Sequence, residues 1–483
     1  MKRWKKVTQR NLVAVNKSDI VITITLLCFI LQFWNLPAYN DDINRFTNGF
    51  IRLSEQGRYF TEWYYSSLFL FNKSTPFNIY TFNLCAIAIF LFIALKSIDN
   101  RCSVYISTGI PITLIAVQPF LVENLSYHID SIGMLFAMSA CIYASAVIRK
   151  NRFITILTSA LFIVSAVFSY QSSMSVYCAC VILIATAMSL STNSSDKEVV
   201  RYVINKIMSL AIAMLVYALI SKIHPVSQYI TDATKTLEFN DVFFHSLSSN
   251  TYKVYQRISG SLNSLQISLY VISLIYYYVV ILLTTLQCKL SAIKMVILTL
   301  SPVLSMILLF TPTVFFEKTV IEARILMSFG ITSSILLLPS LGNKIVKITR
   351  NVLAIILLSL AIMTASAHVS SVNFMYSYTD RMLTSIETNA RIYNIHAHPI
   401  HVKFSGFDFF PGESSVNRSA FPIIRDLAKL HFGGKWLIGL FIKYHNYDII
   451  ISDDDIKNKP KFVTSTKEYN MYYGDGVFII KFK

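Results

Sequence analysis

Charged residues are scarce in this sequence. Asp, Glu, Lys and Arg make up 14% of its 483 residues, whereas soluble proteins carry roughly 25%. Hydrophobic residues make up 54%, and the mean hydropathy is +0.53. The apolar residues fall in blocks long enough to cross a bilayer, which takes about 17–25 residues. The composition excludes an ordinary soluble protein and predicts an α-helical polytopic membrane protein.

Nucleotide and metal motifs are also missing. The sequence has neither a Walker loop nor the glycine pattern of a Rossmann fold, so nothing indicates a nucleotide as energy source or sugar donor. The histidines show no zinc-binding spacing, and His396, His398 and His401 fit strand or turn positions better than metal ligands. The cysteines imply no disulfide framework because all seven lie in or beside apolar blocks: Cys28, Cys85, Cys102, Cys141, Cys178, Cys180 and Cys288.

Acidic residues are few relative to basic ones, which gives a net charge of +17. In a soluble domain this charge would suggest a nucleic-acid partner. In a membrane protein it is explained more simply by Lys and Arg retained on the cytoplasmic side, and we expect no nucleic acid. About eleven membrane spans are predicted, at residues 20–36, 77–95, 103–119, 130–148, 153–169, 174–190, 206–223, 267–286, 295–311, 325–341 and 351–370.

The distribution of Lys and Arg predicts the orientation. With the amino terminus inside, the cytoplasmic segments hold 19 of these residues and the opposite loops hold 10, spread over about twice the length. This bias follows the positive-inside rule. The basic amino terminus has no small-residue cleavage site, so a retained first helix is expected instead of a signal peptide. An odd number of spans then places the carboxyl-terminal tail outside.

Two domains are expected. Residues 1–370 would form the transmembrane domain, with outer loops at 37–76 and 224–266. The first loop is rich in aromatic residues, which suits a helix lying in the membrane interface. Residues 371–483 would form a small α/β domain on the outer side, and a lid, an acceptor-docking surface and a cap all stay open as its role.

The tail carries the patterns on which this α/β interpretation rests. Apolar residues recur at helical spacing in its first part: Phe374, Tyr378, Met382, Ile386 and Ala390. Strand-like runs follow at residues 448–452, 461–466 and 476–482.

The first candidate site follows the first apolar block, where Asp41 and Asp42 are adjacent and Arg45 lies one helical turn later. Two neighbouring carboxylates repel, so one of them is a candidate general base with a raised pKa. Arg45 is a candidate for substrate binding or for pairing with the acids. A divalent cation at Asp41 and Asp42 is a third possibility, since hard oxygen ligands suit magnesium or manganese. A solvated helix end is the simplest alternative.

The second candidate site is the stretch from Gln118 to Asp130, between two predicted spans. If it is one helix, Glu123, Tyr127 and Asp130 share a face. Acidic, amide and aromatic groups together suit the binding of a sugar. The candidate sugar-binding residues of this stretch are therefore Glu123, Asn124, Tyr127 and Asp130. An interfacial hairpin with ordinary caps is the alternative.

Two further segments are expected near the same depth. The short turn at Tyr170-Gln171-Ser172 adds the amide of Gln171 to the candidate binding groups. Arg324 precedes the tenth predicted span, where its guanidinium would bind a lipid phosphate bidentately. An internal pair between Glu322 and Arg324, or an interfacial anchor, is the alternative.

Taken together, these motifs are similar to those of the bacteriophage-encoded, serotype-converting O-antigen glucosyltransferases of enteric bacteria. More broadly, an acidic first loop, many spans and an exoplasmic tail resemble the GT-C class of membrane glycosyltransferases. The stretches that carry the resemblance are Asn40-Asp41-Asp42 with Arg45, Gln118 to Ser131, Tyr170-Gln171-Ser172 and the ending Gly476 to Lys481.

The resemblance implies a glucosyltransferase of the bacterial inner membrane. Members take glucose from undecaprenyl-phosphate-glucose in the periplasmic leaflet and attach it to a sugar of the O-antigen repeat. The acidic loop residue of the family carries over to Asp41 or Asp42. Membrane lipids and, functionally, a donor synthase and a flippase are the further partners implied. A lipid-phosphate donor also accounts for the missing nucleotide motif.

Two other classes remain as alternatives. A transporter or flippase of lipid-linked sugars would often show internal repeats and polar groups near the middle of broken helices. Here no repeat is evident, and the polar residues cluster at the outer ends of the spans. An O-antigen acyltransferase would need an acyl-transfer histidine, and none stands out.

Overall fold

The computed structural model describes most of the chain. The described residues are 17–48, 53–68, 79–223, 227–233, 235–288, 290–311, 313–317, 321–340, 343–394, 398–406, 412–428, 432, 435–452 and 458–483. His396 and the basic segment before residue 17, which entered the sequence interpretation, lie outside them.

The described chain is mainly helical. The helices before residue 150 are α1 (Lys17–Ile30), α2 (Asp41–Asn48), α3 (Tyr59–Leu68), α4 (Tyr80–Ser103), α5 (Leu121–Ser126) and α6 (Asp130–Ala146). Those between residues 150 and 265 are α7 (Arg152–Val167), α8 (Met174–Leu190), α9 (Asp196–Ile223), α10 (Gln228–Ala233) and α11 (Phe243–Ser261). The rest are α12 (Ser264–Cys288), α13 (Ala292–Phe310), α14 (Phe329–Leu336), α15 (Lys344–Tyr393), α16 (Gly412–Ala420), α17 (Ile424–Leu427) and α18 (Lys435–Tyr444).

Six described helices are long and apolar enough to cross a membrane. They are Tyr80–Ser103, Gln171–Leu190, Asp196–Ile223, Ser264–Cys288, Ala292–Phe310 and Lys344–Tyr393. Helices α6 and α7 are apolar but shorter, and α1 has 14 residues before a 3-10 turn at Leu31–Phe33. A polytopic membrane protein is thereby supported, whereas the expected eleven spans are not confirmed.

Two predicted spans differ most from the expectation. Within residues 103–119 the regular structure beyond the end of α4 is a 3-10 helix at Ile110–Ile115, and within 325–341 the α-helix is α14, which has eight residues. Eight residues of α-helix rise only about 12 Å, less than half of the hydrocarbon thickness. Both segments are buried and pack against each other. Irregular backbone is tolerated at membrane depth when protein covers it, so hydropathy alone predicted continuous helices wrongly here.

The helical bundle has two chemically different ends. Helix α4 begins beside the stretch 118–130, where the Tyr80 hydroxyl donates to the Leu125 carbonyl. We call this the acidic end, defined by Asp41, Glu123, Asp130 and Glu322. We call the opposite end the basic end, and it is defined by four cations. Lys206, Lys294 and Arg350 donate to backbone carbonyls. Lys96 pairs with Asp19.

The carboxyl-terminal part contains a five-stranded sheet with the order β2-β1-β5-β4-β3. The strands are β1 (Ile400–Ser405), β2 (Ile449–Ile451), β3 (Lys461–Ser465), β4 (Tyr469–Gly474) and β5 (Val477–Phe482). β1 pairs in parallel with β2 and β5, while β4 pairs antiparallel with β3 and β5. The strands expected near residues 448–452, 461–466 and 476–482 are confirmed, and β1 and β4 were missed.

Helix α15 joins the bundle to this sheet without a break. Its 50 residues pass through the expected domain boundary at residue 370, and the division into two domains remains a prediction. The expected helical stripe is confirmed, because Tyr378, Met382, Ile386 and Ala390 are buried on one face. That face belongs to a second hydrophobic core that also contains Ala38 and Ile43.

This second core places the first loop under the carboxyl-terminal part. Helix α2 packs against α18, and the rings of Phe46 and Tyr444 lie 6.3 Å apart. The other long loop is also tied down, since Arg257 of α11 pairs with Asp426 of α17. The acidic end is therefore covered by the part of the chain that follows the bundle.

Candidate active site at the acidic end

The acidic pair begins helix α2. Asn40 precedes it in the left-handed conformation (φ +44°), which asparagine tolerates better than most residues. The amide of Asp42 donates to the Tyr39 carbonyl at 2.9 Å, so the chain turns tightly into the helix. Successive side chains on a helix point about 100° apart, and the two aspartates accordingly meet different surroundings.

Asp42 is fully buried and anchors the start of α6. One carboxylate oxygen accepts from the His128 amide at 2.7 Å, and the other accepts from the Ile129 amide at 3.1 Å. Burial raises the pKa of Asp42 to about 7, although Arg45 and the two amides act in the opposite direction. Both oxygens are thus occupied by backbone donors, which is the geometry of a structural anchor.

Asp41 is only partly buried. Among the described residues its carboxylate makes no hydrogen bond and no ion pair. Burial and the charge of Asp130 raise its pKa above the usual value, while Arg45 and then Arg324 lower it, and Glu322 adds a smaller increase. An acid with free oxygens and a raised pKa has the properties of a general base.

The helix expected across 118–130 is broken. Helix α5 ends at Ser126, Tyr127 is extended, and α6 begins at Asp130. Glu123, Tyr127 and Asp130 therefore do not share one helical face, which corrects the sequence-based expectation. The break occurs where Asp42 binds the amides of residues 128 and 129, so the carboxylate replaces the helical partners that these amides lack.

Asp130 is held by two arginines. Its carboxylate lies 2.7 Å from Nη1 of Arg45 and 3.0 Å from Nη1 of Arg58. The side chains of Asp130 and Arg45 are 2% and 7% exposed, so this pair is removed from water. It joins α2 to α6 and fixes the helix that carries Asp41.

Glu123 and Asn124 hold the segment of Arg324. Glu123 accepts from the Arg324 amide at 2.8 Å, and the side-chain amide of Asn124 donates to the Arg324 carbonyl at 3.1 Å. These contacts join positions 200 residues apart in the sequence. Burial raises the pKa of Glu123, while Arg324 lowers it.

The Arg324 guanidinium lies among aromatic and acidic groups. It donates to the Tyr127 hydroxyl at 2.9 Å, and its centre is 5.2 Å from the Tyr127 ring. It also pairs with Glu322, as the alternative interpretation of the sequence anticipated. The ring of Tyr39 packs edge-on against Tyr127 at 5.1 Å. The cation is therefore oriented before any ligand binds.

Gln171 lies at the edge of this arrangement. It lies in the expected short turn, which forms a 3-10 helix at Gln171–Ser173. Its side-chain amide donates to the Gln56 carbonyl at 3.3 Å. The neighbouring Tyr170 is buried, with its ring 5.2 Å from the guanidinium of Arg58. Gln171 thus braces the first loop.

Two groups of the site were not among the candidate residues from the sequence, namely Tyr39 and Arg58. Tyr39 adjoins residues that had been singled out. Arg58 follows Gly57, whose positive φ of 73° ends a short 3-10 helix, and nothing in its local sequence indicates the contact with Asp130.

Both oxygens of Asp42 accept hydrogen bonds from backbone amides. In the described part of the chain, no three side chains among His, Cys, Asp and Glu are grouped to hold a metal ion. A divalent cation at Asp41 and Asp42 stays a prediction.

The residues of the site suit acid–base chemistry on a ligand that carries an anionic group. The carboxylate of Asp41 on α2 has no partner among the described residues, and the charges of Arg45 and Arg324 act on it. Such an arrangement suits removal of a proton from a hydroxyl together with stabilisation of a departing anion.

Comparison with known proteins is consistent with this chemistry. The chain is similar to an uncharacterized 55.3 kDa protein in the gtrB 5′ region of Salmonella phage P22, with 25% identity over 258 residues. The match covers 51% of this chain and 52% of the phage protein, so the chain spans about half the length of this relative. No solved structure matches.

A family model also matches, and it covers both halves of the candidate site. The model is that of glucosyl transferase GtrII, and it matches residues 30–338. These residues include Asp41 and Arg324, together with the stretch 118–130 between them. The resemblance found in the sequence is thereby confirmed: the chain belongs to the GtrII glucosyl transferase family.

Proposed function

We propose that this glucosyltransferase moves glucose from undecaprenyl-phosphate-glucose to a sugar of the O-antigen repeat, at the periplasmic face of the bacterial inner membrane, and so changes the serotype. The observation that carries the proposal is the carboxylate of Asp41, which has no partner among the described residues and whose charge is influenced by the oriented guanidinium of Arg324. Both residues lie inside the region matched by the family. The position of the phage relative beside gtrB supports a role in the same process.

Asp41 acts as the general base, in preference to Asp42. It removes the proton of an acceptor hydroxyl, whose oxygen then forms a bond to C1 of glucose. The bond between C1 and the phosphate oxygen breaks, and its electron pair leaves with the lipid phosphate. The proton ends on Asp41. Asp42 is the weaker candidate, because it is fully buried and each of its oxygens already accepts a backbone hydrogen bond.

Arg324 binds the donor phosphate and stabilises the negative charge that it gains. A guanidinium presents several donors in a planar fork that matches phosphate oxygens. Tyr127 and Glu322 hold the guanidinium in place, so little reorganisation is needed when the bond to C1 breaks.

Several residues expected to bind sugar act as positioning residues in this mechanism. Glu123 and Asn124 are committed to the backbone of Arg324, and Arg45 is committed to Asp130. Gln171 braces the first loop through Gln56. Tyr127 remains a candidate for direct contact with glucose, through its ring face or hydroxyl.

The proposal is tested by mass spectrometry of O-antigen from cells with and without the gene. A gained hexose on each repeat is expected, and cells expressing Asp41→Asn at the same protein level should not gain it. A gained acetyl group would indicate an acyltransferase, and an unchanged polysaccharide would indicate a transporter or another acceptor. Either result would contradict the proposal.

A further inference from the structure

Asp130 shares its carboxylate between two cations. Its oxygens contact the guanidiniums of Arg45 and Arg58. Arg45 is also close to the charges of Asp42 and Asp41, whereas in the described part of the chain Asp130 is the one carboxylate that pairs with Arg58. Arg58 is therefore the arginine with fewer anionic neighbours, and an additional anion is more favourable beside it than beside Arg45.

Arg58 is the more accessible of the two. Its side chain is 14% exposed, against 7% for Arg45. In the described chain, Arg58 makes one polar side-chain contact, from Nη1 to Asp130. A guanidinium has five N–H donors, so most of those on Arg58 are available to a ligand.

Tyr170 fixes the direction of Arg58. The guanidinium lies over the tyrosine ring at 5.2 Å, just as Arg324 lies over Tyr127 at the same distance. Burial raises the pKa of Tyr170, whereas Arg324 and then Arg58 lower it, so both cations act on this one hydroxyl. The two arginines thus flank a common region, each on its own tyrosine.

We propose that Arg58 is a second ligand of the donor phosphate, which it binds together with Arg324 across Tyr170. The inference rests on the proposed function, because it names a further contact for the same lipid phosphate. With two guanidiniums, a phosphate diester in the donor and the phosphate monoester that leaves are both bound, and the more negative monoester is bound more tightly. Arg58 thereby favours the departure of the leaving group.

The test measures binding of farnesyl phosphate and of farnesol to the purified full-length protein in an uncharged detergent. Arg58→Gln is expected to weaken farnesyl phosphate binding about 10- to 100-fold and to leave farnesol binding within twofold of wild type. Arg58→Lys keeps the ion pair with Asp130 but loses the planar fork, so it should show a smaller loss of the same kind.

The chain offers a matched control in Arg101. Its guanidinium also lies 5.2 Å from a tyrosine ring, that of Tyr105, but at the basic end of the bundle. Arg101→Gln should bind both farnesyl compounds as the wild type does. Melting temperatures of all variants, measured without ligand, show whether each one is folded.

The outcomes separate this inference from the proposed function. If Arg58→Gln and Arg58→Lys bind farnesyl phosphate as tightly as wild type, Arg58 is not a ligand, while the proposed donor stands. Equal losses for farnesyl phosphate and farnesol would mean that Arg58 only supports the fold, which also overturns the inference. If wild-type protein prefers farnesol or shows no preference, the proposed donor and the second ligand fail together.

Discussion

Two adjacent aspartates at the same helix end have different tasks. Asp42 is fully buried and accepts from the amides of residues 128 and 129, while Asp41 is only partly buried and its carboxylate has no partner among the described residues. The sequence could identify the pair, because acidic residues after an apolar block are unusual. It could not assign the base, since the distinction depends on contacts with residues 86 and 87 positions away.

The raised pKa of Asp41 predicts the pH dependence of glucosyl transfer. A general base works in its ionised form, so kcat/KM falls as the pH drops through the pKa of the base. Burial and Asp130 raise this pKa above 3.8, with Arg45 and Arg324 opposing them and Glu322 adding to the rise. The acidic limb of the profile should therefore have its midpoint above 3.8, the usual pKa of an aspartate, and a rate independent of pH down to that value would contradict the assignment.

Arg324 is expected to be more sensitive to shape than to charge. Arg324→Lys keeps the positive charge but loses the fork, so kcat/KM for the lipid donor should fall about tenfold or more, and Arg324→Ala should lower it further. The measurement is transfer from undecaprenyl-phosphate-glucose by purified protein.

The exposed Arg201 of α9 supplies a matched control for Arg324. Arg201→Ala should retain wild-type kcat/KM. Stable Arg324→Lys and Arg324→Ala proteins with wild-type kcat/KM would show that the phosphate is bound elsewhere.

At the scale of elements, hydropathy predicted where the apolar segments lie better than it predicted their secondary structure. It measures the preference of a segment for an apolar environment, which a buried irregular segment satisfies as fully as a spanning helix. In residues 103–119, Gly109 adopts a φ of +66° and Pro111 lies in the 3-10 helix that follows. Gly109 and Pro111 are compatible with a break in the helix. The irregular segment is buried by α14, however, which follows more than 200 residues later in the sequence.

The contact between these two segments makes Gly330 indispensable. A Cβ atom there would overlap the Leu114 carbonyl oxygen and approach the Ile115 carbonyl oxygen to 2.8 Å. Because both are backbone atoms, Gly330→Ala should force the segments apart and lower the melting temperature in detergent by several degrees. Gly260→Ala is the matched control, since a Cβ at Gly260 meets no atom within 4 Å. Equal melting temperatures for both variants would contradict this packing.

Lys206 should stabilise the end of α6. Its ammonium group donates to the carbonyls of Ala144 and Val147 and to the Ser159 hydroxyl, all within 2.9 Å. Lys206→Met leaves these buried acceptors without a partner, at a cost of about 1–3 kcal/mol for each group. A large loss of thermal stability is expected.

The exposed Lys197, on the same helix, is the control for Lys206. Lys197→Met should melt as the wild type does. A Lys206→Met protein as stable as the wild type would mean that these carbonyls find other donors.

At the scale of the whole molecule, the separation of charge predicts the orientation in the membrane. Four buried or half-buried cations mark one end, and the candidate active site marks the other. The positive-inside rule places the basic end in the cytoplasm. Reporter fusions after residues 73, 240 and 400 should report periplasmic positions, and fusions after residues 151 and 346 cytoplasmic ones. A cytoplasmic reporter at residue 400 would contradict a periplasmic active site.

The carboxyl-terminal sheet shows the limit of sequence interpretation at this scale. Strand β5 is apolar apart from Lys481 and was recognised. Strand β1 was missed, and its partners, β2 and β5, follow more than 40 residues later in the sequence. The packing of α2 against α18 was also unforeseen, since no local pattern links the first loop to the end of the chain. Long-range contacts, not local propensities, complete the active site.

The central claim is that Asp41 is the base of glucosyl transfer and Asp42 is a structural anchor. The most direct test measures transfer from undecaprenyl-phosphate-glucose by purified Asp41→Asn, Asp42→Asn and, as control, Asp232→Asn, whose side chain is exposed. We predict that Asp41→Asn melts as the wild type does but is slower by about 10²–10⁴-fold. Asp42→Asn should lose stability and activity together, and Asp232→Asn should lose neither. A stable Asp41→Asn protein with wild-type activity would contradict the account.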